Sequence, residues 1–213
     1  SYYKDGKKLW FGTRGSGVYM LALNGTPSLF YRSGNTGEDY VRNITGDDKY
    51  IWLSTLNGVI ILDKRDGSVR KRYKIEDRLP HNSINQVYLR KDGTGLVATE
   101  NDRLYTVTPG TGVSFGSGIM SGITKNKVLC YTETERGVIF AGTSGNGLFY
   151  FSGDSVFNIS VDDGLLSNYC YSLMADSDEK IWIGHERGFS RYNSLTGSLK
   201  VFSTDFARGG DCN

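Results

Sequence analysis

An all-β fold of about five four-stranded blades, a β-propeller segment, is predicted by three features of the sequence. First, five copies of one short pattern run through the 213 residues: LWFGTRGSGVYML from Leu9, IWLSTLNGVIIL from Ile51, GLVATENDRLYTV from Gly95, VIFAGTSGNGLFYF from Val138 and IWIGHERGFSRY from Ile181. Aligned on Trp10, Trp52, Leu96, Phe140 and Trp182, they step by 42, 44, 44 and 42 residues, the length of one four-stranded blade. Second, Thr13, Thr55, Thr99, Thr143 and His185 repeat with the same four steps. Third, 28 glycines against three prolines suit many short strands joined by tight turns. The approximate repeats are 1–39, 40–84, 85–126, 127–168 and 169–213.

The fifth repeat shows the unit most clearly. Tyr169 to Met174 reads as a first strand, followed by the turn residues Asp176-Ser177-Asp178. Ile181-Trp182-Ile183 is a short apolar strand without alternation, as expected where both faces are covered. Glu186-Arg187-Gly188 turns the chain into Phe189 to Tyr192, and Asn193 to Gly197 turns it into Leu199, Val201 and Phe202. Hairpin signals recur between the second and third strands: Asn57-Gly58, Ser144-Gly145-Asn146-Gly147, Arg14-Gly15-Ser16-Gly17 and Asn101-Asp102. Glycine, Asn and Asp tolerate the positive φ that such turns require.

Trp10, Trp52, Leu96, Phe140 and Trp182 are expected to fill the wedge between neighbouring sheets. Trp182 should therefore be largely buried, with Trp182→Ala costing about 3–5 kcal/mol. His185 takes the threonine slot, which suggests a structural hydrogen-bonding position. Tyr2-Tyr3 aligns with the end of a first strand, and Asp211-Cys212-Asn213 with the loop entering one. The segment is thus expected to belong to a longer array, forming an open arc or closing only with another chain.

Charge and motifs exclude several functions. Lys+Arg 25 against Asp+Glu 23 leaves no electrostatic footprint for nucleic acid. No apolar run approaches the roughly 20 residues of a membrane-spanning helix. Cys130, Cys170 and Cys212 lack C-x-x-C spacing, and the first two sit in apolar runs as small buried hydrophobes. Asp162-Asp163-Gly164 and Asp176-Ser177-Asp178 read as turns, because neither opens a twelve-residue calcium loop. No metal or cofactor is expected. Arg70-Lys71-Arg72-Tyr73-Lys74 reads as a solvated outer strand whose charges discourage edge pairing. His81 and His185 are the two histidines, no G-x-S-x-G occurs, and His185-Glu186 is the one local acid–base candidate, so no catalytic residue is assigned.

If the first strand is innermost, the turn between strands two and three shares a face with the loop before strand one. That face gathers Arg14, Asn57, His81, Asn82, Glu100, Asn101, Asp102, Asn146, Asn168, Tyr169, His185, Glu186 and Arg187. Short polar groups with aromatic neighbours, held on a rigid scaffold, suit sugar hydroxyls.

The repeat resembles the two-component regulator propeller repeat, roughly D-G-L-x-x-N, then an aspartate turn, then W-x-G-T-x-x-G. Residues 163–189 carry the resemblance in Asp163-Gly164-Leu165, Asn168, Asp176, Ile181-Trp182-Ile183-Gly184 and Gly188-Phe189. They depart from it at His185 for Thr, and at Glu179-Lys180 where Gly is usual. Residues 77–107 match in Leu79-Pro80, Asn82-Ser83, Val87, Asp92-Gly93 and Thr99, with Leu96 for Trp. Repeats one, two and four keep mainly the aromatic, Thr and Gly core.

The resemblance implies part of a larger, seven-bladed propeller in the periplasmic sensor region of a membrane-bound hybrid histidine kinase of Bacteroides type. Its partners would be the remaining blades and downstream domains of the receptor, an oligosaccharide ligand and a second copy in a homodimer. The kinase motifs are absent, so this segment is expected to sense or scaffold and not to be an enzyme. Two rivals are a propeller lyase resembling virginiamycin B lyase and a structural protein-interaction propeller. Sialidase-like Asp boxes and WD-repeat dipeptides are absent.

Overall fold

The computed structural model describes residues 1–79, 81–99, 105–109, 112–115, 127–152 and 155–203. The chain divides into two compact units, Ser1–Gly116 and Ser117–Asn213. Each is built from four-stranded antiparallel meanders in which a strand bonds only to its neighbours in sequence.

The first unit holds three sheets. They are β1 (Tyr2–Asp5), β2 (Lys8–Gly12), β3 (Val18–Ala22), β4 (Ser28–Tyr31); β5 (Val41–Gly46), β6 (Tyr50–Thr55), β7 (Gly58–Asp63), β8 (Val69–Tyr73); and β9 (Ile84–Leu89), β10 (Gly95–Thr99), β11 (Tyr105–Thr108), β12 (Gly112–Phe115). A single helical turn, α1 (Thr36–Asp39), links the first two. The second unit holds β13 (Val128–Glu133), β14 (Ile139–Thr143), β15 (Leu148–Ser152), β16 (Ser155–Ile159), then β17 (Ser172–Ala175), β18 (Lys180–His185), β19 (Gly188–Asn193), β20 (Leu199–Ser203).

At Trp10, Trp52 and Phe140 the repeated large residue packs between sheets, toward the sheet that follows. Trp10 shares a buried cluster with Val41, Ile44, Ile51 and Leu53 of the second sheet. Trp52 does the same with Ile84, Val87 and Val97 of the third, and Phe140 with Cys170, Ile181 and Ile183 of the fifth. Trp10, Trp52, Leu96 and Phe140 are all at most 1% exposed. Because side chains alternate along a strand, the flanking residues, such as Ile51 and Leu53, pack on the preceding sheet instead.

Trp182 corrects the expectation that it is largely buried between sheets. Ile181 and Ile183 are buried against the fourth sheet, but Trp182, on the other face, is only partly buried. Its neighbours there are Phe189 at 5.7 Å and Phe202 at 6.3 Å between ring centroids, and both are exposed. Strand β18 is therefore covered on one side among the described residues, so its apolar run hides a real two-fold alternation.

The basic stretch on β8 is also more than a solvated edge. Arg70 pairs with Asp63 at 2.7 Å. Arg72 and Lys74 both reach the buried Glu38, at 3.2 and 3.0 Å, and Tyr31 of the first sheet donates to the same carboxylate. Burial works against the charged form of Glu38, but the hydrogen bonds and charges of Lys74 and Arg72 outweigh it and hold its pKa below the usual range. The strand thus ties two sheets together. Cys130 and Cys170 are buried free thiols, as their apolar surroundings require, and burial pushes the Cys170 thiol up to about 12. Cys212 lies outside the described residues.

Candidate ligand-binding face

The hairpin between the second and third strands of a sheet is clasped by the loop that enters the next sheet. The N–H groups of Gly15 and Gly17 both donate to Asp39 O at 3.0 Å. Gly58 N–H donates to Asn82 O at 2.6 Å, and those of Gly145 and Gly147 donate to Asn168 O at 3.1 and 2.9 Å. Within each hairpin the repeated threonine closes the turn: Thr13, Thr55 and Thr143 donate to Gly17 O, Gly58 O and Gly147 O at 2.7–2.8 Å. The same hydroxyls accept the N–H groups of Ser16, Asn57 and Asn146. Glycine is required at the turn's exit. Gly58 sits at φ 103°, and a Cβ there would run into Tyr73 O.

This scaffold consumes several of the expected site residues. Asn82 Oδ1 accepts Ile75 N–H at 2.9 Å, and Asn168 Oδ1 accepts Val161 N–H at 2.9 Å, each fixing a one-turn 3-10 segment. Asn146 presents its carbonyl to Asn158 Nδ2 at 2.8 Å. His81 is exposed, with Nδ1 accepting the N–H of Ser83. Arg14 bridges Tyr40 through its backbone, leaving its side chain exposed. Asn57 is half-buried, and Glu186 and Arg187 are exposed at the tip of the β18–β19 hairpin. Glu100, Asn101 and Asp102 lie outside the described residues.

His185 breaks the threonine pattern and changes the local wiring. Its Nδ1 lies 2.9 Å from Tyr169 O and its Nε2 3.0 Å from Ser190 Oγ. A carbonyl can only accept, so Nδ1 carries the proton and Nε2 accepts from Ser190. Ser190 Oγ in turn accepts Leu166 N–H at 3.2 Å. Burial pushes the His185 pKa down, against a smaller raising effect of the bond to Tyr169, so the imidazole is neutral at neutral pH. Both ring nitrogens are occupied by structural bonds, which leaves no lone pair for proton abstraction.

The bond to His185 holds the backbone of a residue whose ring is exposed. Tyr169 and Tyr171 are 49% and 51% exposed, and their rings stack at 6.3 Å with planes 25° apart. The Tyr169 ring lies over Gly145, where a Cβ would touch it at 3.6 Å. Strand β17 begins at Ser172 rather than Tyr169; before it, Tyr169 makes an isolated bridge to Ser144, and Tyr171 N–H donates to Gly184 O at 2.9 Å. The segment is extended, so residues two apart face one way and buried Cys170 faces the other. In the second unit the structure therefore brings together Asn146, Asn168, Tyr169 and His185, and adds Tyr171. Asn57, His81 and Asn82 form a separate group in the first unit. The Tyr-x-Tyr spacing was the available signal for Tyr171.

No family model matches the sequence, and no curated protein matches it. Solved structures do. The extracellular domain assigned to the hybrid two-component system BT3049 of B. thetaiotaomicron aligns with 95% of this chain at 20% identity and a TM-score of 0.69; the chain spans 34% of that protein's length. A catalytically inactive virginiamycin B lyase from Staphylococcus aureus, solved with quinupristin, aligns at 14% identity and a TM-score of 0.73, over 94% of this chain and 67% of the lyase. The WD40 β-propeller domain of Doa1 aligns at 14% identity and a TM-score of 0.71, over 95% and 67%. These likenesses establish the propeller class of fold for the five sheets.

Proposed function

We propose that this chain is the ligand-recognition part of an extracytoplasmic sensor of the two-component type, and that its ligand is an oligosaccharide. The observation that carries the reading is the exposed Tyr169–Tyr171 stack, set over Gly145 and pinned from beneath by His185. Two aromatic faces held on a rigid scaffold offer the C–H faces of a sugar a flat apolar surface. The exposed Glu186 and Arg187, on the hairpin that His185 opens, supply polar groups for hydroxyls. The two-component setting is supported by the sequence pattern of residues 163–189 and by the fold shared with the B. thetaiotaomicron extracellular domain. Periplasmic placement and a histidine kinase elsewhere in the receptor follow from that setting.

The lyase rival shares the fold, but the engaged nitrogens of His185 disfavour it. Calorimetric titration with a panel of glycan oligosaccharides tests the proposal. At least one should bind, and Arg187→Ala should weaken that binding, whereas His81→Ala, in the group of the first unit, should leave it unchanged. Absence of binding across the panel would leave the scaffolding role.

A further inference from the structure

A concave site lies in the first unit, beside the turn Ile75–Asp77. A cleft of about 730 Å³ opens between the second and third sheets. Tyr50, Ile61, Tyr73 and Val113 line it as an apolar and aromatic floor, and Arg70, Lys71 and Arg78 stand around it. The volume falls within the roughly 300–1,000 Å³ of small-ligand pockets.

The charges in the cleft are unequally engaged. Arg70 is committed to Asp63 at 2.7 Å. Asp77 accepts Lys74 N–H at 3.1 Å in the 3-10 turn and meets Lys71 only at 3.9 Å. Lys71 also sits over the Tyr73 ring at 5.4 Å. Glu76 is exposed at the rim. Arg78 is exposed and makes no ion pair among the described residues.

Arg78 also occupies a backbone position that disfavours it. Its φ is 75°, in the left-handed region, at the end of the turn Ile75–Asp77. The corresponding turn in the second unit, Val161–Asp163, ends on Gly164 at φ 97°. A bulky side chain held where the equivalent turn uses glycine implies a role beyond closing the turn.

From the uncommitted guanidinium, the loosely held ammonium and the tyrosine-lined floor, we propose that this cleft binds a carboxylate-bearing sugar, a uronic acid unit. Arg78 takes the carboxylate through its paired N–H donors, Lys71 adds a second positive charge, and the ring lies against Tyr50, behind which Tyr73 is buried. This site is independent of the Tyr169–Tyr171 reading.

Titration calorimetry with digalacturonate, with cellobiose as the neutral probe and acetate as the bare anion, tests it. Digalacturonate should bind, cellobiose should bind at least about tenfold more weakly, and added salt should weaken the acidic ligand. Arg78→Gly should lower digalacturonate affinity by about tenfold or more while its thermal midpoint stays level or rises, since glycine suits the turn. Lys4→Ala, which removes an exposed cation of the first sheet, should leave digalacturonate binding unchanged. Equal binding of cellobiose, full competition by acetate at equal concentration, unchanged affinity in Arg78→Gly, or loss in Lys4→Ala would each overturn the assignment.

Discussion

The indole N–H of Trp182 donates to Oδ2 of Asp176 at 2.8 Å, whereas the buried indole N–H groups of Trp10 and Trp52 have no hydrogen-bond partner among the described residues. The difference comes from the hairpin. Asp176 and Asp47 each open the turn into the second strand and each spend one carboxylate oxygen on two backbone N–H groups, but the second sheet's turn is one residue shorter, and it is Asp176 whose other oxygen accepts the indole N–H. Trp182 is thus fixed at its rim by a polar bond, while Trp10 and Trp52 are held by packing within their buried clusters, with the Lys64 ammonium 5.7 Å over the Trp10 ring.

Truncation at the two kinds of site should differ. Trp52→Ala removes a fully buried side chain and should cost about 3–5 kcal/mol. Trp182→Ala loses a partly exposed ring, its Arg191 contact and one hydrogen bond, and should cost about 1–2 kcal/mol. Guanidinium denaturation midpoints of the two variants give the comparison, and equal losses would mean that Trp182 is covered in solution.

Stability should respond to His185 in mildly acidic solution. Its folded pKa is lowered from 6.5 by burial, so the unfolded chain binds more protons than the folded one just below pH 6.5. The contribution of the neutral imidazole is complete above 6.5 and is lost as pH falls through the folded pKa. His185→Thr restores the hydroxyl of the other repeats and should lose less stability than the wild type between pH 7.5 and 5.5. His81 is present in both proteins and cancels.

Glu179 offers a test of strain against contact. It sits at φ 62° where the repeat pattern has glycine, is 7% exposed, and its Oε1 accepts Arg136 N–H from the fourth sheet at 3.2 Å. Glu179→Ala keeps the left-handed strain and loses the tie, whereas Glu179→Gly loses the tie and lifts the strain. The glycine variant should be the more stable of the two by about 1 kcal/mol in urea denaturation.

Asn168 and Tyr169 are adjacent in sequence but should separate in function. Asn168→Ala removes one hydrogen bond to Val161 and should cost about 1 kcal/mol of stability with little effect on ligand affinity. Paired denaturation and binding measurements on the variant check both halves of that statement.

The repeat and its four-strand unit were legible because both arise from local patterning. Thr13, Thr55 and Thr143 recur where each closes its own hairpin, and Gly58 and Gly147 mark the positive φ of the turns. The candidate face was legible only in outline. The pattern placed Asn82 and Asn168 beside the hairpins, yet their side chains turn back to a 3-10 segment seven residues earlier, a bond fixed by the loop's path. The pairing of Arg72 with Glu38 joins distant segments and leaves no sequence trace. Trp182 read as buried because its strand is as apolar as that of Trp52. Its exposure is decided by whether a sheet covers that face, and no pattern within the strand encodes this.

The most direct test of the central reading is the affinity of Tyr169→Ala and Tyr171→Ala, measured by calorimetry for the best oligosaccharide of a panel. The account predicts that each variant keeps the wild-type unfolding free energy within about 0.5 kcal/mol, since both rings are half exposed, and binds about tenfold more weakly. Wild-type affinity in both variants would contradict it and remove the tyrosine pair from the ligand site.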